Sequence, residues 1–211
     1  MTPTLALEQL MLDPAYDRFV EHARAVMPVG LRDQHDAAAT EAHTILSGAA
    51  VRLGDNLSYP TTAGDLPGWL RLGLLDTISQ FAAGRATTCR HNPQADRPRP
   101  VLAAAWRPGV VVCPPCAPLL SLKHDPAADA VCDSCGHQCT GIEHGDGIYP
   151  GMVQLGPLIY QYGTCGDCRP PTASGNPLSG PQTAERDRPR GTGRVRPRGS
   201  RGRGRGRGGR V

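Results

Sequence analysis

Aromatic residues are scarce: two Trp, five Tyr and two Phe among 211 residues are too few to fill the interior of a large enzyme domain. Lysine is nearly missing as well, Lys123 being the one lysine among 23 basic residues. That bias, with abundant Ala, Gly and Pro, is what a GC-rich genome writes through its codons, and it lowers the weight of any Arg-rich stretch. No run approaches the roughly 18 apolar residues of a membrane span. The opening MTPTLALEQLMLD carries no basic leader and sets Glu8 inside its apolar stretch, so no secretory signal is expected. The expectation is a cytoplasmic protein without membrane attachment. In a reducing cytosol, eight cysteines point to metal ligands or redox groups before disulfides.

What is present is unevenly spread. Residues 181–211 hold eleven Arg against Glu185 and Asp187, a local charge of +9 that leaves about −5 on residues 1–180. Three segments follow from composition: a helical region 1–85, a cysteine-rich region 86–169 and an Arg/Gly/Pro-rich tail 170–211.

In the first segment Asp13-Pro14 forms a cap and first-turn pair, and Tyr16, Phe19, Val20, Ala23 and Met27 recur at helical spacing until Pro28 and Gly30. A second helix is expected from Asp33, with Ala38, Ala42, Ile45, Leu46, Ala49 and Leu53 on its apolar face. A third is expected from about Asp65 through Leu75, Ile78 and Phe81 to Gly84. His35 and His43 lie two turns apart, roughly 12 Å by helix rise, too far to share an ion. With Glu41 between them they read as solvated surface.

All eight cysteines fall between 89 and 168, as Cys89-x-His91, Cys113-x2-Cys116, Cys132-x2-Cys135, Cys139 and Cys165-x2-Cys168. A CxxC turn presents two thiolates at the span that tetrahedral zinc requires, and two such knuckles complete one site. RPVLAAAWRPGVVVC and GMVQLGPLIYQYGTC each read as strand, turn, strand, knuckle, and each follows an opening ligand pair. The expected architecture is α+β: an N-terminal helical region, two small zinc-stapled β-hairpin modules and a disordered tail. Two Zn2+ per chain follow, one held by Cys89, His91, Cys113 and Cys116 and one by Cys132, Cys135, Cys165 and Cys168. A cross-braced arrangement, Cys89/His91 with Cys132/Cys135 and Cys113/Cys116 with Cys165/Cys168, uses the same eight residues and stays open. His137 and Cys139 are left as supporting or spare groups.

On this spacing and hairpin pattern, residues 89–168 resemble the zinc-ribbon and treble-clef class of zinc fingers. CDSCG followed by a hairpin and CGDC is the closer match to a ribbon. The first unit departs in its Cys-x-His opening, and the APLLSLK after its CPPC is a candidate for the short treble-clef helix.

Two chemistries are disfavoured. VVVCPPCAPLL has the local strand–CxxC–helix order of a thiol-disulfide redox site, but three CxxC pairs exceed what a dithiol enzyme uses. Hydrolytic zinc sites keep a position open for water, whereas one site here is all thiolate. His124, His144, Glu143 and Asp146 show no acid/base spacing and read as solvated loop, so no catalytic role is assigned. Trp106, Tyr149, Tyr160 and Tyr162 read as module core, with base stacking as the alternative.

The tail ends RGRGRGRGGR, similar to RGG-type tails of RNA-binding proteins. It is too polar to offset the entropy of ordering and is expected to be disordered. Arg194, Arg196, Arg198, Arg201, Arg203, Arg205, Arg207 and Arg210 are the candidate contacts to DNA or RNA phosphates. The leading reading is a zinc-binding, nucleic-acid-binding or regulatory protein. The alternatives are a zinc-stapled module that binds a protein partner with the tail dispensable, and a CxxC redox protein.

Overall fold

A computed structural model describes residues 2–53, 63–122 and 126–169. The Arg-rich candidates between 194 and 210, and His124, lie outside the described residues.

Helix α1 (Pro3–Met11) has no counterpart among the three helices expected from spacing. Thr2 caps it, its hydroxyl accepting the Leu5 N–H at 3.3 Å, and Pro3 occupies the first turn, where no amide donor is needed. Helix α2 (Tyr16–Val26) starts later than the Asp13-Pro14 cap expected from the sequence: Ala15 is its N-cap, without a side-chain capping bond, and Asp13 instead shapes the turn before it, its carboxylate accepting the Ala15 N–H at 2.7 Å. It stops at Met27, which turns extended ahead of Pro28 because the proline ring excludes the helical conformation there.

The chain then re-enters a helix at once. Pro28 O accepts from Leu31 and Arg32 N–H, both at 3.0 Å, and α3 runs Val29–Leu53, four residues ahead of the Asp33 start read from the sequence. Gly30 sits in its first turn and does not break it. Helix α4 (Gly68–Ala82) lies within the expected bounds, and Gly84, at φ 65°, takes the left-handed position past its end.

Among the described residues five strands follow: β1 (Thr87–Thr88), β2 (Val101–Ala104), β3 (Val110–Val111), β4 (Tyr149–Leu155) and β5 (Leu158–Thr164). The second expected hairpin is present in full, β4 and β5 pairing antiparallel from Tyr149↔Thr164 to Leu155↔Leu158 around Gly156 at φ 56°. The first is much shorter. β2 and β3 meet through one antiparallel bridge, Leu102↔Val112, while β3 pairs parallel with β1. The other edge of β2 pairs parallel with β5, Val101↔Leu158 to Ala104↔Gln161. That pairing places β2 of the first unit in a three-stranded sheet of order β2-β5-β4 with the second unit's hairpin, while β1 and β3 form a separate two-stranded sheet.

Such a pairing demands apolar residues on both faces, and β2, VLAA, is buried along its whole length. Leu102, Ala104, Val112 and Ile159 face one core with Ala42 and Leu46 of α3. Val101, Ala103, Val111, Leu158 and Tyr160 face the other with Leu70 and Leu74 of α4. The sheet is thus sandwiched between α3 and α4, and small residues set the spacing. Ala42 is fully buried, and a side chain at Gly73 would meet the Tyr160 hydroxyl at 2.7 Å. α1 is fastened to α4 by Glu8 and Arg71, an ion pair at 3.0 Å with both side chains mostly buried; Arg71 also donates to Leu66 O at 2.6 Å. α2 is tied to α3 by Arg24 and Asp36 at 2.6 Å, an exposed pair of small energetic weight. Among the described residues no helix is long and apolar enough to cross a membrane.

Tyr160 and Tyr162 belong to the second core, Tyr162 meeting Trp69 edge to face at 5.6 Å between centroids. Trp106 packs on the first core and donates its indole N–H to Leu120 O at 2.7 Å. These three serve packing, as the core reading anticipates. Tyr149 instead lies under the Arg169 guanidinium, 4.8 Å from its ring centre.

This sandwich ranks the helices by what they bury. Leu74→Ala, at a site 1% exposed, should cost about 2–5 kcal/mol of stability. Phe19→Ser on α2, at a site 52% exposed, should stay within about 0.5 kcal/mol. Denaturant midpoints of the metal-loaded protein compare the two.

Candidate metal centres

The first candidate centre is built by two turns facing each other. Cys89 ends the segment after β1, and Asn92 N–H returns to Cys89 O at 2.8 Å, with Asn92 at φ 42°. Asparagine tolerates that left-handed conformation, and the turn brings His91 back beside Cys89. Opposite, Cys113 is extended and Pro114 begins a 3-10 helix, Pro114–Leu120, so that Cys116 N–H closes onto Cys113 O at 2.8 Å. This helix starts at the CPPC itself and covers only the first four residues of the APLLSLK stretch expected to be helical; it is 3-10, and three of its residues are prolines that cannot donate.

The donor atoms form a cage. His91 Nδ1 lies 3.3 Å from Cys113 Sγ, 3.2 Å from Cys116 Sγ and 4.0 Å from Cys89 Sγ, and the Cys89 and Cys113 sulfurs are 3.6 Å apart. A tetrahedral ion with Zn–S near 2.3 Å and Zn–N near 2.05 Å requires edges of about 3.8 Å for S···S and about 3.6 Å for N···S. A disulfide requires about 2.05 Å, and every cysteine is free. The cage fits a metal ion and excludes the disulfide.

The second centre sits at the open end of the β4–β5 hairpin. Gly136, at φ 73°, donates to Cys132 O at 2.9 Å and closes the CDSCG knuckle. Asp133 fastens that knuckle to β5: its amide donates to Gly163 O at 2.9 Å, and its carboxylate accepts from Gly163 N–H at 2.6 Å. Cys165 and Cys168 follow β5 directly, with Cys168 N–H on Cys165 O at 3.2 Å. Cys135 and Cys165 sulfurs are 3.9 Å apart, and all four sulfurs lie within 4.8 Å of one another.

The structure therefore brings together the eight residues singled out by spacing, in sequential pairs and not cross-braced. Two tetrads, one of three sulfurs and an imidazole and one of four sulfurs, are arranged to hold metal ions.

The electrostatics of the metal-free cages agree. Burial opposes ionisation of Cys89, but the amides of Cys113 and His91 outweigh it and bring its thiol down to about 6. Cys132 likewise reaches about 7 against burial, through the amides of Cys165, Cys135 and Ser134. Their companions move the other way. Burial and the Cys113 and Cys89 sulfurs push Cys116 up to about 11, while Cys168, against a lowering hydrogen bond from Ser134, is driven by Cys135 and Cys165 to about 12. Each cage accepts one negative charge readily and resists the next until a cation shares it.

His137 and Cys139 stay outside both tetrads. They converge instead with Asp146, which spacing had assigned to solvated loop, and the three donor atoms lie within 4.8 Å of one another. No regular spacing announces this group; the loop closes through paired backbone bonds between Gly141 and Asp146, at 2.8 and 3.2 Å. His35 and His43 are part-exposed on α3, and His35 approaches Asp36 at 3.4 Å; neither joins a metal-ligating group among the described residues.

No family model matches this chain, and neither does any curated protein or solved structure.

Cys132→Ser or Cys168→Ser should remove one bound ion and Cys89→Ser the other, read as metal per chain. Because Cys89 and Cys113 share a core with α3, chelation should collapse helical circular dichroism and sheet packing in one transition. Ligand thiols must lose protons to bind, and those of Cys116, Cys165 and Cys168 are held above the ordinary thiol value in the metal-free cages, chiefly by burial at Cys116 and Cys165 and by neighbouring sulfurs at Cys168. Adding Zn2+ in weak buffer should therefore acidify an indicator dye, and apparent affinity should rise with pH.

Proposed function

We propose that the chain is a zinc-binding, non-catalytic protein whose folded part is stapled by two structural Zn2+ ions and whose tail binds nucleic-acid phosphates. The observation that carries the zinc part is the closed donor set of each tetrad. Three thiolates and an imidazole, or four thiolates, fill a tetrahedral ion and leave no position for water or substrate. Structural sites of this kind contribute on the order of 10 kcal/mol or more to small zinc modules. A chain poor in aromatics and rich in Gly and Pro has use for that contribution.

The redox alternative loses support from the same geometry, since each of the three CxxC pairs sits in a four-ligand cage with no free dithiol. The nucleic-acid part rests on composition alone, the eleven Arg of residues 181–211. It supports binding to DNA or RNA without choosing between them, in a cytoplasmic setting.

One observation favours the protein-partner reading instead. α2 buries no residue, and Phe19, Val26 and the following Val29 are 52%, 70% and 61% exposed. An apolar surface of that kind suits a partner protein better than a phosphate backbone.

Filter binding of the full chain and of a form lacking residues 181–211 separates the readings. Under the nucleic-acid reading, log affinity of the full chain for duplex DNA falls linearly with log salt, at a slope near ~0.9 per phosphate neutralised, and truncation abolishes most of it. Replacing the tail Arg by Lys should spare duplex binding and weaken single-strand binding more, because the planar guanidinium is lost. Salt-independent binding, or none by either form, rejects the tail as a nucleic-acid element.

A further inference from the structure

We infer that His137, Cys139 and Asp146 form a third metal site, of lower affinity than the two tetrads, that takes a borderline-soft divalent cation of the zinc class and leaves one coordination position to solvent. The inference goes beyond the proposed function, in which only the two closed tetrads bind metal.

Three donors of different kinds meet on one side of the second tetrad. Their ligating atoms, an imidazole nitrogen, a thiol sulfur and a carboxylate oxygen, lie within 4.8 Å of one another. His137 Nε2 is 3.0 Å from one Asp146 oxygen and 3.2 Å from the other. The donor set is electrically matched: one thiolate and one carboxylate with a neutral imidazole neutralise a divalent ion. Zinc accepts all three ligand types, whereas magnesium and calcium take oxygen.

The backbone fixes the three residues before any ion arrives. Cys132 N–H holds His137 O at 2.8 Å, and Cys139 N–H holds Ala130 O at 2.8 Å, so both side chains spring from a clamped segment. Asp146 is returned to them by a tight loop whose bends are made by Gly141 at φ 129° and Gly145 at φ 75°. Its carboxylate accepts from the Thr140 N–H at 3.0 Å and from the Thr140 hydroxyl at 3.2 Å, which fixes its orientation and leaves further lone pairs for a ligand role.

Access differs among the three. Cys139 is 7% exposed and packs against Cys132 and Cys165, forming the floor of the site. The His137 side chain is 50% exposed and that of Asp146 32%, so they form an open rim. An ion enters from solvent, and water completes its coordination. This arrangement differs from the closed tetrads in two ways that a measurement can read: fewer thiolates and a labile ligand.

The test uses the full chain, with Zn2+ and Co2+ as the probes. At low buffered free Zn2+ the protein should hold two ions, and at higher free Zn2+ a third should bind. With Co2+, the third equivalent should add thiolate-to-metal absorption of about a quarter of that given by the four-thiolate site, in proportion to its single sulfur. Cys139→Ser should hold two ions at every free Zn2+ concentration and lose the extra absorption. Asp146→Asn, a change on the exposed rim, should weaken the third equivalent by at least about tenfold while keeping the two tight ions and the circular dichroism of the parent. Saturation of the parent at two ions overturns the site. So does a third ion that both variants bind as the parent does. Loss of a tight ion in Cys139→Ser also overturns it, because Cys139 would then be serving the second tetrad.

Discussion

The fold is organised around buried sulfur placed where it could share its charge with a cation. Cys89 and Cys113 are 5% and 6% exposed and lie in the same core as Ala42 and Leu46 of α3, Ile159 of β5 and Leu120. The backbone amides stabilise one thiolate there, but a second or third would be prohibitive without a partner charge. A divalent ion held there would turn that liability into a rigid vertex. It would fix β1, β3 and the 3-10 helix relative to one another and give α3 something to pack on.

From that vertex the rest of the sheet follows. β3 is only two residues long and β2 four, too short to stand as a hairpin in water. They persist because β2 finds a second partner in β5, and an ion in the first centre would clamp the base of the unit as well. β5 is long enough to support both neighbours, and its far end is clamped in turn by the second centre at Cys165 and Cys168. The parallel β2–β5 pairing buries both faces of the joint, which explains why two helices are needed: α3 covers one face and α4 the other.

Ligand positions were legible in the sequence because CxxC is a local device. Two thiols and a turn occupy four residues, and the chain cannot hide them. The long β4–β5 hairpin was legible for the same reason, its Gly156-Pro157 turn flanked by two strand-like runs. What escaped was non-local. RPVLAAAW reads as a strand, but nothing in it says that its outer edge joins a strand more than fifty residues later. The start of α3 was misplaced because Pro28 both ends one helix and accepts the first amides of the next, so Gly30 was taken for a stop. Asp146 was passed over because its link to His137 and Cys139 depends on how a glycine-hinged loop closes, which residue spacing does not encode.

Charge also decides where phosphate affinity can reside. The formal charge of residues 1–180 is about −5 with every cysteine counted as neutral. Three thiolates and an imidazole around a divalent ion leave about −1, and four thiolates leave about −2, so metal loading makes the folded part more acidic still. Here the second centre is flanked by Asp133, Asp146 and Asp167, with Arg169 engaged on Tyr149. A polyanion approaching that surface would meet net repulsion, screened only beyond about 8–10 Å at physiological salt. On this charge balance the proposed phosphate affinity rests on the +9 segment at residues 181–211, while the apolar side chains exposed on α2 suit the alternative of a protein partner.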